Sequence, residues 1–345
     1  MTKEIYIGWD IGGAHLKSCV LSGQKIVCSV DLCELWKTKE AGDIIDRITK
    51  KYTQQGVVYN LITMSGEMCD IFDNREQGVK KILNYFNKFV NTYVYTQNSG
   101  IINIKENKKL HDIASVNWHV IAKFMSKKLK DAIVIDLGST TTDFILIKNS
   151  KVINKRLDDF SGLSSRELLY VGCLRTPPYI FGQSLQIDKK NIQMIPENFS
   201  SLADVYRIIR KLPKDFYYCS TCDGKDKDIK SCMVRFARNF GFDYKRIHQN
   251  FLISAARKIS ELHISIINKV IDHHIKKDFL SNKNVKIVGL GIGEKIIKNL
   301  CVKNHREYLD LSTIMGERMS STKISPYHIA PAYFLATMLK DGENS

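Results

Sequence analysis

The chain has 345 residues, of which 44% are hydrophobic and only 6 are proline, and it carries a formal net charge of +16. This length favours two domains, because single cores rarely grow past about 250–300 residues, and the composition excludes a disordered chain. No apolar run approaches the roughly 20 residues of a membrane span, and no basic-then-apolar leader precedes the first strand, so we expect a cytoplasmic protein without a membrane partner.

An internal repeat opens the chain and returns after residue 130. Residues 7–14 (IGWDIGGA) match residues 133–140 (IVIDLGST) without gaps, so that Asp10 corresponds to Asp136 and Gly12 to Gly138. The match continues through a second apolar run, a short polar turn and a third apolar run in both copies. Each copy therefore predicts a strand, a tight glycine loop, a second strand, a turn and a third strand.

The hydrophobic pattern predicts further helices and strands after each copy of the repeat. After the first copy we predict a helix at Ala41–Tyr52, a strand at Val57–Thr63, a helix at Gln77–Phe89, a strand at Thr92–Tyr95 and a helix at Leu110–Leu129. After the second copy we predict an insertion with short helices at about 158–243, a helix at Arg246–His273, a strand at Val285–Gly289, and helices at Glu294–Leu300 and Tyr327–Leu339.

The insertion contains a lone C-x-x-C motif, Cys219 and Cys222. Because a fourth zinc ligand is not evident from the spacing, we predict that these thiols hold no zinc. The chain has nine cysteines, an odd number scattered along its length, which favours reduced thiols over a disulfide framework.

The duplicated loops have the residue types of a phosphate site. An aspartate at the end of a strand can hold a divalent cation such as Mg²⁺, and we assign this role to Asp10 and Asp136. A glycine two residues later lets the backbone turn sharply, and the residues after it present successive amides to an anion. The predicted phosphate- and substrate-binding residues of the two loops are Gly12, Gly13, Ala14, Gly138, Ser139, Thr140 and Thr141. A strand-turn-strand device without a ligand would explain one such loop, but two matching copies favour a function.

A third glycine-rich segment, residues 287–294 (IVGLGIGE), follows a predicted strand. It resembles a dinucleotide fingerprint but has Glu294 where that motif needs a third small residue. We therefore expect Gly289 and Gly291 to close the same cleft from the second half of the chain.

Two hairpins followed by a late glycine loop resemble the actin, sugar-kinase and Hsp70 superfamily. The closer resemblance is to small hydantoinase/oxoprolinase-related proteins linked to tetrahydromethanopterin and methanofuran one-carbon metabolism. The segments that carry it are DIGGA at 10–14, TMSGEMCD at 63–70, ASVNW at 114–118, DLGSTTTD at 136–143, LRTP at 174–177, ADVY at 203–206, RFAR at 235–238 and APA at 330–332. The chain departs from the family pattern at Cys222 and at residues 199–201.

The resemblance implies an α/β fold of two ribonuclease-H-like domains with a cleft between them. The first would span residues 1–128 and be completed by a helix at 327–340, and the second would span 129–326. An archaeal member of the family joins a furan methyl diphosphate to the phenol of γ-glutamyltyramine and releases diphosphate. The implied function is therefore a transferase whose partners are a small diphosphate substrate and a phenolic amine acceptor, with no specific nucleic acid.

Three further residues are candidates for catalysis or binding. Lys17 is the repeat counterpart of Asp143 and could bind a diphosphate leaving group, although an outward surface lysine is nearly as good an explanation. Glu67, just after a predicted buried strand and close to a second acid, Asp70, lies where a carboxylate suits a general base for the phenol or a charge that complements a helix N-terminus. Arg175, on a proline-stiffened loop, suits a phosphate or a substrate carboxylate.

Two other functions are compatible with the same features. The wider superfamily allows an ATP-dependent kinase or a hydantoinase/oxoprolinase-like amidohydrolase, which would make ATP a ligand. The net charge allows a non-enzymatic nucleotide- or nucleic-acid-binding protein. No helix-turn-helix or zinc-finger pattern supports the nucleic-acid reading, and the dispersed lysines favour a solvated surface.

Overall fold

The computed structural model describes residues 3–36, 40–106, 109–187, 189–212, 219–280, 284–316 and 324–342. The first part of the chain contains β1 (Glu4–Ile11), β2 (His15–Ser22), β3 (Lys25–Leu32), α1 (Ala41–Thr53), β4 (Val57–Met64), α2 (Arg75–Asn84), β5 (Thr92–Thr96), β6 (Gly100–Asn103) and α3 (Asn117–Ser126). The second part contains β7 (Ala132–Leu137), β8 (Thr142–Lys148), β9 (Lys151–Val152), α4 (Asp159–Ser165), β10 (Leu168–Leu169), β11 (Ser184–Ile187), β12 (Lys190–Gln193), α5 (Leu202–Ile208), α6 (Ile229–Arg238), α7 (Gln249–Asp278), β13 (Lys286–Leu290), α8 (Glu294–Lys303), α9 (Leu311–Met315) and α10 (Ala330–Lys340).

The first sheet has the strand order β3-β2-β1-β4-β5-β6. Strands β1, β2 and β3 form an antiparallel meander, whereas β4 runs parallel to β1 and β5 parallel to β4. A meander followed by parallel strands joined through helices is the arrangement of a ribonuclease-H-like domain. The mixed α/β fold predicted from the sequence is confirmed.

The second sheet repeats this plan in a shortened form. Strands β7 and β8 form the antiparallel pair, β13 runs parallel to β7, and both β9 and β10 pair with β8. Within the described part of the chain, the sheet continues beyond β13 only as an isolated parallel bridge between Ile287 and Tyr308. The repeat seen in the sequence is therefore a repeat of the meander β1–β2–β3 as β7–β8–β9, with β9 only two residues long.

Helices α3 and α10 lie in the apolar layer between the two sheets. Phe124 of α3 stacks on Phe334 of α10, with ring centroids 4.2 Å apart. Helix α10 also crosses β1 so closely that a Cβ on Gly8 would lie 1.9 Å from the Ala332 carbonyl oxygen. Only glycine permits this approach, so the last helix is built onto the first strand.

Several predicted element boundaries are wrong. The helix expected from Leu110 begins only at Asn117, because Ser115 has a left-handed backbone with φ of 53° and cannot continue a right-handed helix. The helix expected to reach Phe89 ends at Asn84, where amide bonds to the third preceding residue tighten the chain into turns.

The later elements also differ from the predicted boundaries. Helix α7 runs to Asp278, five residues past the predicted end, and the insertion contains the hairpin β11–β12 in addition to short helices. Among the described residues, no helix combines the length and apolarity that crossing a membrane requires.

Candidate active site

A cleft of about 430 Å³ opens where the carboxyl ends of β1 and β7 face each other. This volume lies in the range of small-molecule sites. The predicted residues that line it are Gly12, Gly13, Ala14, Lys17, Asp136, Gly138, Ser139, Thr140, Thr141 and Arg175. The structure thus brings together the two hairpin loops and Arg175, which lie far apart in the sequence.

The two loops have the same turn geometry. The Gly12 amide donates to the His15 carbonyl at 2.9 Å, and the Gly138 amide donates to the Thr141 carbonyl at the same distance. A single internal bond closes each loop, so the intervening amides take no part in it. Within the described residues, the amides of Gly13, Ala14, Ser139, Thr140 and Thr141 donate no hydrogen bond.

Bonds from neighbouring segments hold the carbonyls of both loops. The Leu35 amide donates to the Gly13 carbonyl at 2.9 Å, and the Cys173 amide donates to the Gly138 carbonyl at 3.0 Å. Because a trans peptide places its N–H opposite its C=O, these bonds turn the amides of Ala14 and Ser139 away from the supporting segments. The result is a pair of fixed amide groups that can bind an anion.

The first hairpin carries an ion pair across its strands. Asp10 of β1 lies opposite Lys17 of β2, and the Lys17 Nζ donates to Asp10 Oδ2 at 2.9 Å. Burial lowers the pKa of Lys17, but Asp10, Asp136 and Asp143 outweigh burial and raise it above its usual value. Lys17 is therefore a fixed cation inside the cleft rather than an outward surface lysine.

The second hairpin has two acids at the corresponding positions. Asp136 of β7 lies opposite Asp143 of β8, and Arg156 forms ion pairs with Asp143 and, at 3.0 Å, with Asp159. Asp136 itself accepts no hydrogen bond from any described residue. Burial raises the pKa of Asp136 to about 7; Lys17 opposes this shift, and Asp143 and Asp10 add to it. Asp136 is therefore an acid of the cleft that has no hydrogen-bond or ion-pair partner among the described residues.

The two aspartates fit a hard divalent cation. Asp10 Oδ2 holds Lys17, but its buried Oδ1 has no hydrogen-bond partner, and Asp136 is unpaired. Within the described residues, no three histidine, cysteine or acidic side chains converge as a ready metal site. Mg²⁺ commonly binds through one or two carboxylates and completes its shell with water and substrate phosphates. Asp10 and Asp136 meet that requirement, and the metal stays a prediction.

Four predicted site residues do not line the cleft: Asp10, Glu67, Gly289 and Gly291. Asp10 is fully buried beside Lys17. Glu67 is 0% exposed and lies below the cleft surface, because its backbone is pressed against Gly78 of α2. Gly291 lies behind Asp136, where a Cβ would come 2.3 Å from Asp136 Oδ1, and Gly289 packs on Tyr308. Gly291 therefore lies against the end of β7 and Gly289 against Tyr308 and α8, and the role of these glycines in closing the cleft stays a prediction.

Asp70, the other carboxylate considered as a general base, does line the cleft, and sequence reasoning missed six further lining residues: Trp36, Ser115, Asp143, Arg156, Asp159 and Tyr170. The sequence did contain one signal for a nearby cation. The repeat places Asp136 opposite Asp143 in the second hairpin, and two adjacent acids need a positive charge beside them. The arginine that supplies it, Arg156, gives no signal of its own in the sequence.

The mouth of the cleft is bridged by side chains from both halves. The guanidinium of Arg175 lies 4.9 Å from the ring centroid of Trp36, and Ser220 Oγ donates to Glu34 Oε1 at 3.0 Å. Arg175 forms no ion pair with any described residue, and neither does Asp70, which also lines the cleft. An unpaired cation and an unpaired anion are thus available at the mouth.

The amino-acid sequence is similar to that of known proteins. A hydantoinase/oxoprolinase family profile matches residues 59–338. The chain is 31% identical over 301 residues to the (4-{4-[2-(gamma-L-glutamylamino)ethyl]phenoxymethyl}furan-2-yl)methanamine synthase of Methanocaldococcus jannaschii, which covers 86% of this chain and 88% of that protein. It is 28% identical over 229 residues to the protein of the same name from Methanococcus vannielii, covering 65% of this chain and 98% of that one.

A solved structure shares the fold at much lower sequence identity. The nucleotide-free structure of an acetone carboxylase superposes with a TM-score of 0.52 and 10% identity, covering 85% of this chain and 66% of that chain. At that identity the likeness concerns the fold alone.

Proposed function

We propose that this chain, which belongs to the hydantoinase/oxoprolinase family, is a transferase that joins a furan methyl diphosphate to a γ-glutamyltyramine-like phenol and releases diphosphate. The relatives are synthases by name, and the product in that name contains a phenoxymethyl furan, which is an aryl ether on a furan methylene. A diphosphate on that methylene would give the leaving group that ether formation requires.

The observation that carries the proposal is the pair of facing loops with unpaired amides. A diphosphate is a chain of two anionic groups, and two opposed amide pockets match it better than one. Gly13 and Ala14 supply amides on one side, and Ser139 to Thr141 supply amides and hydroxyls on the other. Lys17 adds a fixed positive charge between them.

In the proposed reaction the phenolic oxygen attacks the methylene carbon while the carbon–oxygen bond to diphosphate breaks. Negative charge grows on the departing diphosphate, and donors held in place before the reaction stabilise such charge most effectively. The amides of both loops and Lys17 perform this role. A divalent cation held by Asp10 and Asp136 would supply further neutralisation of the phosphates.

The residues at the mouth suit the amino-acid end of the acceptor. A γ-glutamyl group ends in an α-carboxylate and an α-ammonium. Arg175 is available for the carboxylate through two parallel hydrogen bonds, and Asp70 for the ammonium. Trp36 holds the Arg175 guanidinium in place from its other face.

The test is a direct assay. Purified protein is incubated with synthetic furan methyl diphosphate, γ-glutamyltyramine and Mg²⁺, and both diphosphate and the ether product are quantified, the latter by mass. Formation of both in equal amounts supports the proposal. ATP turnover in a parallel reaction without other substrates, together with no ether formation, would favour the kinase-like alternative.

A further inference from the structure

A buried acid lies directly beneath one polar residue of the cleft surface. Ser115 lines the cleft, and its Oγ donates to Glu67 Oε1 at 2.6 Å. Glu67 is 0% exposed and Ser115 only 4% exposed. The second oxygen, Glu67 Oε2, is buried and accepts no hydrogen bond from the described residues.

The backbone at Ser115 is held in an uncommon conformation. Its φ of 53° lies in the left-handed region, which residues other than glycine, asparagine and aspartate rarely adopt. This conformation ends the preceding turn just before α3 and directs the hydroxyl onto Glu67. Strain of this kind concentrates at functional sites, where the surrounding structure maintains it.

The surroundings of Glu67 make its carboxylate a group that can take up a proton. Burial raises its pKa; the Ser115 hydrogen bond and the charge of Arg75 oppose the shift, and Asp159 adds to it. Gly78 of α2 lies against the Glu67 backbone. Among the described residues, the Ser115 hydroxyl joins this buried acid to the cleft lining through a direct hydrogen bond.

We propose that Ser115 relays the proton of the acceptor phenol to Glu67. The phenolic O–H gives its proton to Ser115 Oγ, and the proton already on Ser115 Oγ passes to Glu67 Oε1. The phenolate oxygen then forms its bond to the methylene carbon, the carbon–oxygen bond to diphosphate breaks, and diphosphate leaves. Ser115 is the residue that touches the substrate, and Glu67 acts through it.

This inference rests on the proposed ether-forming reaction and extends it to the proton. It also gives Glu67 a role as the proton acceptor, although Glu67 is buried and cannot contact a substrate itself. A buried Ser–Glu hydrogen bond with a purely structural role predicts different behaviour, because loss of that bond would lower stability without changing how the rate depends on pH or on the phenol.

The experiment compares Ser115→Gly and Glu67→Gln with the unaltered protein. Glycine removes the hydroxyl and tolerates the positive φ, so this variant is expected to fold. The control is Ser200→Ala, which removes another buried hydroxyl with a 2.6 Å hydrogen bond, to Asn239, in the insertion and outside the cleft lining. The assay measures ether formation from furan methyl diphosphate across the pH range, with γ-glutamyltyramine and with ring-fluorinated analogues whose phenols are more acidic.

We expect Ser115→Gly and Glu67→Gln each to lose on the order of 10²-fold in turnover with the unfluorinated phenol, the usual effect of general base catalysis. The loss should shrink as the phenol becomes more acidic, because an ionised phenol needs no base. In the unaltered protein the rate should rise with pH through the titration of Glu67, and Glu67→Gln should abolish that rise.

Two results would overturn the relay. Equal losses with all phenols, or an unchanged pH profile in Glu67→Gln, would assign the Ser115–Glu67 pair a structural role. Failure of the unaltered protein to form any ether would instead refute the proposed function, so the two failures are distinguishable. Ser200→Ala should keep the pH profile and the dependence on phenol acidity of the unaltered protein.

Discussion

Replacing Asp136 with asparagine should stabilise the protein and abolish its turnover. Asp136 has no partner and its pKa rises from 3.8 to about 7 on folding, because the folded cleft disfavours its charged form. A raised folded-state pKa means that stability is highest below the unfolded pKa and is lost as pH rises towards 7. Above pH 7 the unaltered protein bears the full free-energy cost of a charged Asp136 in the folded state, and Asp136→Asn removes this cost.

The magnitude follows from the two pKa values. The difference between the folded and unfolded pKa values of Asp136 corresponds to about 4 kcal/mol of unfolding free energy at most. Because water in the cleft reduces this value, we expect Asp136→Asn to raise the free energy of unfolding by about 2 kcal/mol at pH 8. At pH 5 the folded protein already carries a proton on Asp136, so the gain should fall to less than half. Turnover should drop by about 10²–10³-fold or more, because asparagine can neither hold a hard cation nor replace the lost charge.

The assays are urea unfolding at pH 8 and pH 5 and diphosphate release at pH 8. The matched control is Asp143→Asn, the same change directly across the strands. Asp143 pairs with the buried Arg156, which Asp159 also holds, so Asp143→Asn breaks one of the two ion pairs of that arginine and should not stabilise the protein. An Asp136→Asn variant that is no more stable than the unaltered protein at pH 8 would refute the reasoning about the unpaired acid.

Four further outcomes are expected. Asp10→Asn should cut diphosphate release by about 10²-fold or more and weaken Mg²⁺ dependence, and an unchanged rate at every Mg²⁺ concentration would contradict the cleft mechanism. Gly138→Ala should raise the KM for the diphosphate substrate, because the new Cβ would lie 3.3 Å from the Thr141 carbonyl that closes the loop. Arg175→Met should raise the KM for γ-glutamyltyramine about tenfold or more and leave that for tyramine, which lacks the carboxylate, unchanged; equal effects on both would remove Arg175 from acceptor recognition. Gly8→Ala should lower the free energy of unfolding by about 1–3 kcal/mol or more through the clash with α10, which urea unfolding measures.

The repeat explains why much of the cleft could be predicted from the sequence. Strand pairs and their glycine turns follow local rules, and two matching hairpins imply two matching loops. The ion pair of Lys17 with Asp10 and the acid pair of Asp136 with Asp143 also follow once the hairpin register is known.

The remaining features depend on contacts between distant segments. Arg156 reaches Asp143 only because the chain turns back after β9, and Glu67 is buried only because Gly78 of α2 closes over it. The helix predicted from Leu110 fails at Ser115, whose left-handed backbone is maintained by its surroundings rather than by its own preference. Hydrophobic periodicity and motif spacing cannot predict such contacts between segments that are far apart in the sequence.

The position of α10 has a consequence for how the protein is made. Its Lys340 donates to the carbonyl of Gly23, a contact that spans 317 residues, and its Ala332 lies against Gly8. During synthesis on the ribosome, the apolar face of β1 therefore stays uncovered until residues 330–340 have emerged. Contacts so distant in sequence slow folding, and exposed sheet faces promote aggregation in the meantime. The first strands of this sheet are therefore translated early, but we expect the sheet to be among the last parts of the protein to finish folding.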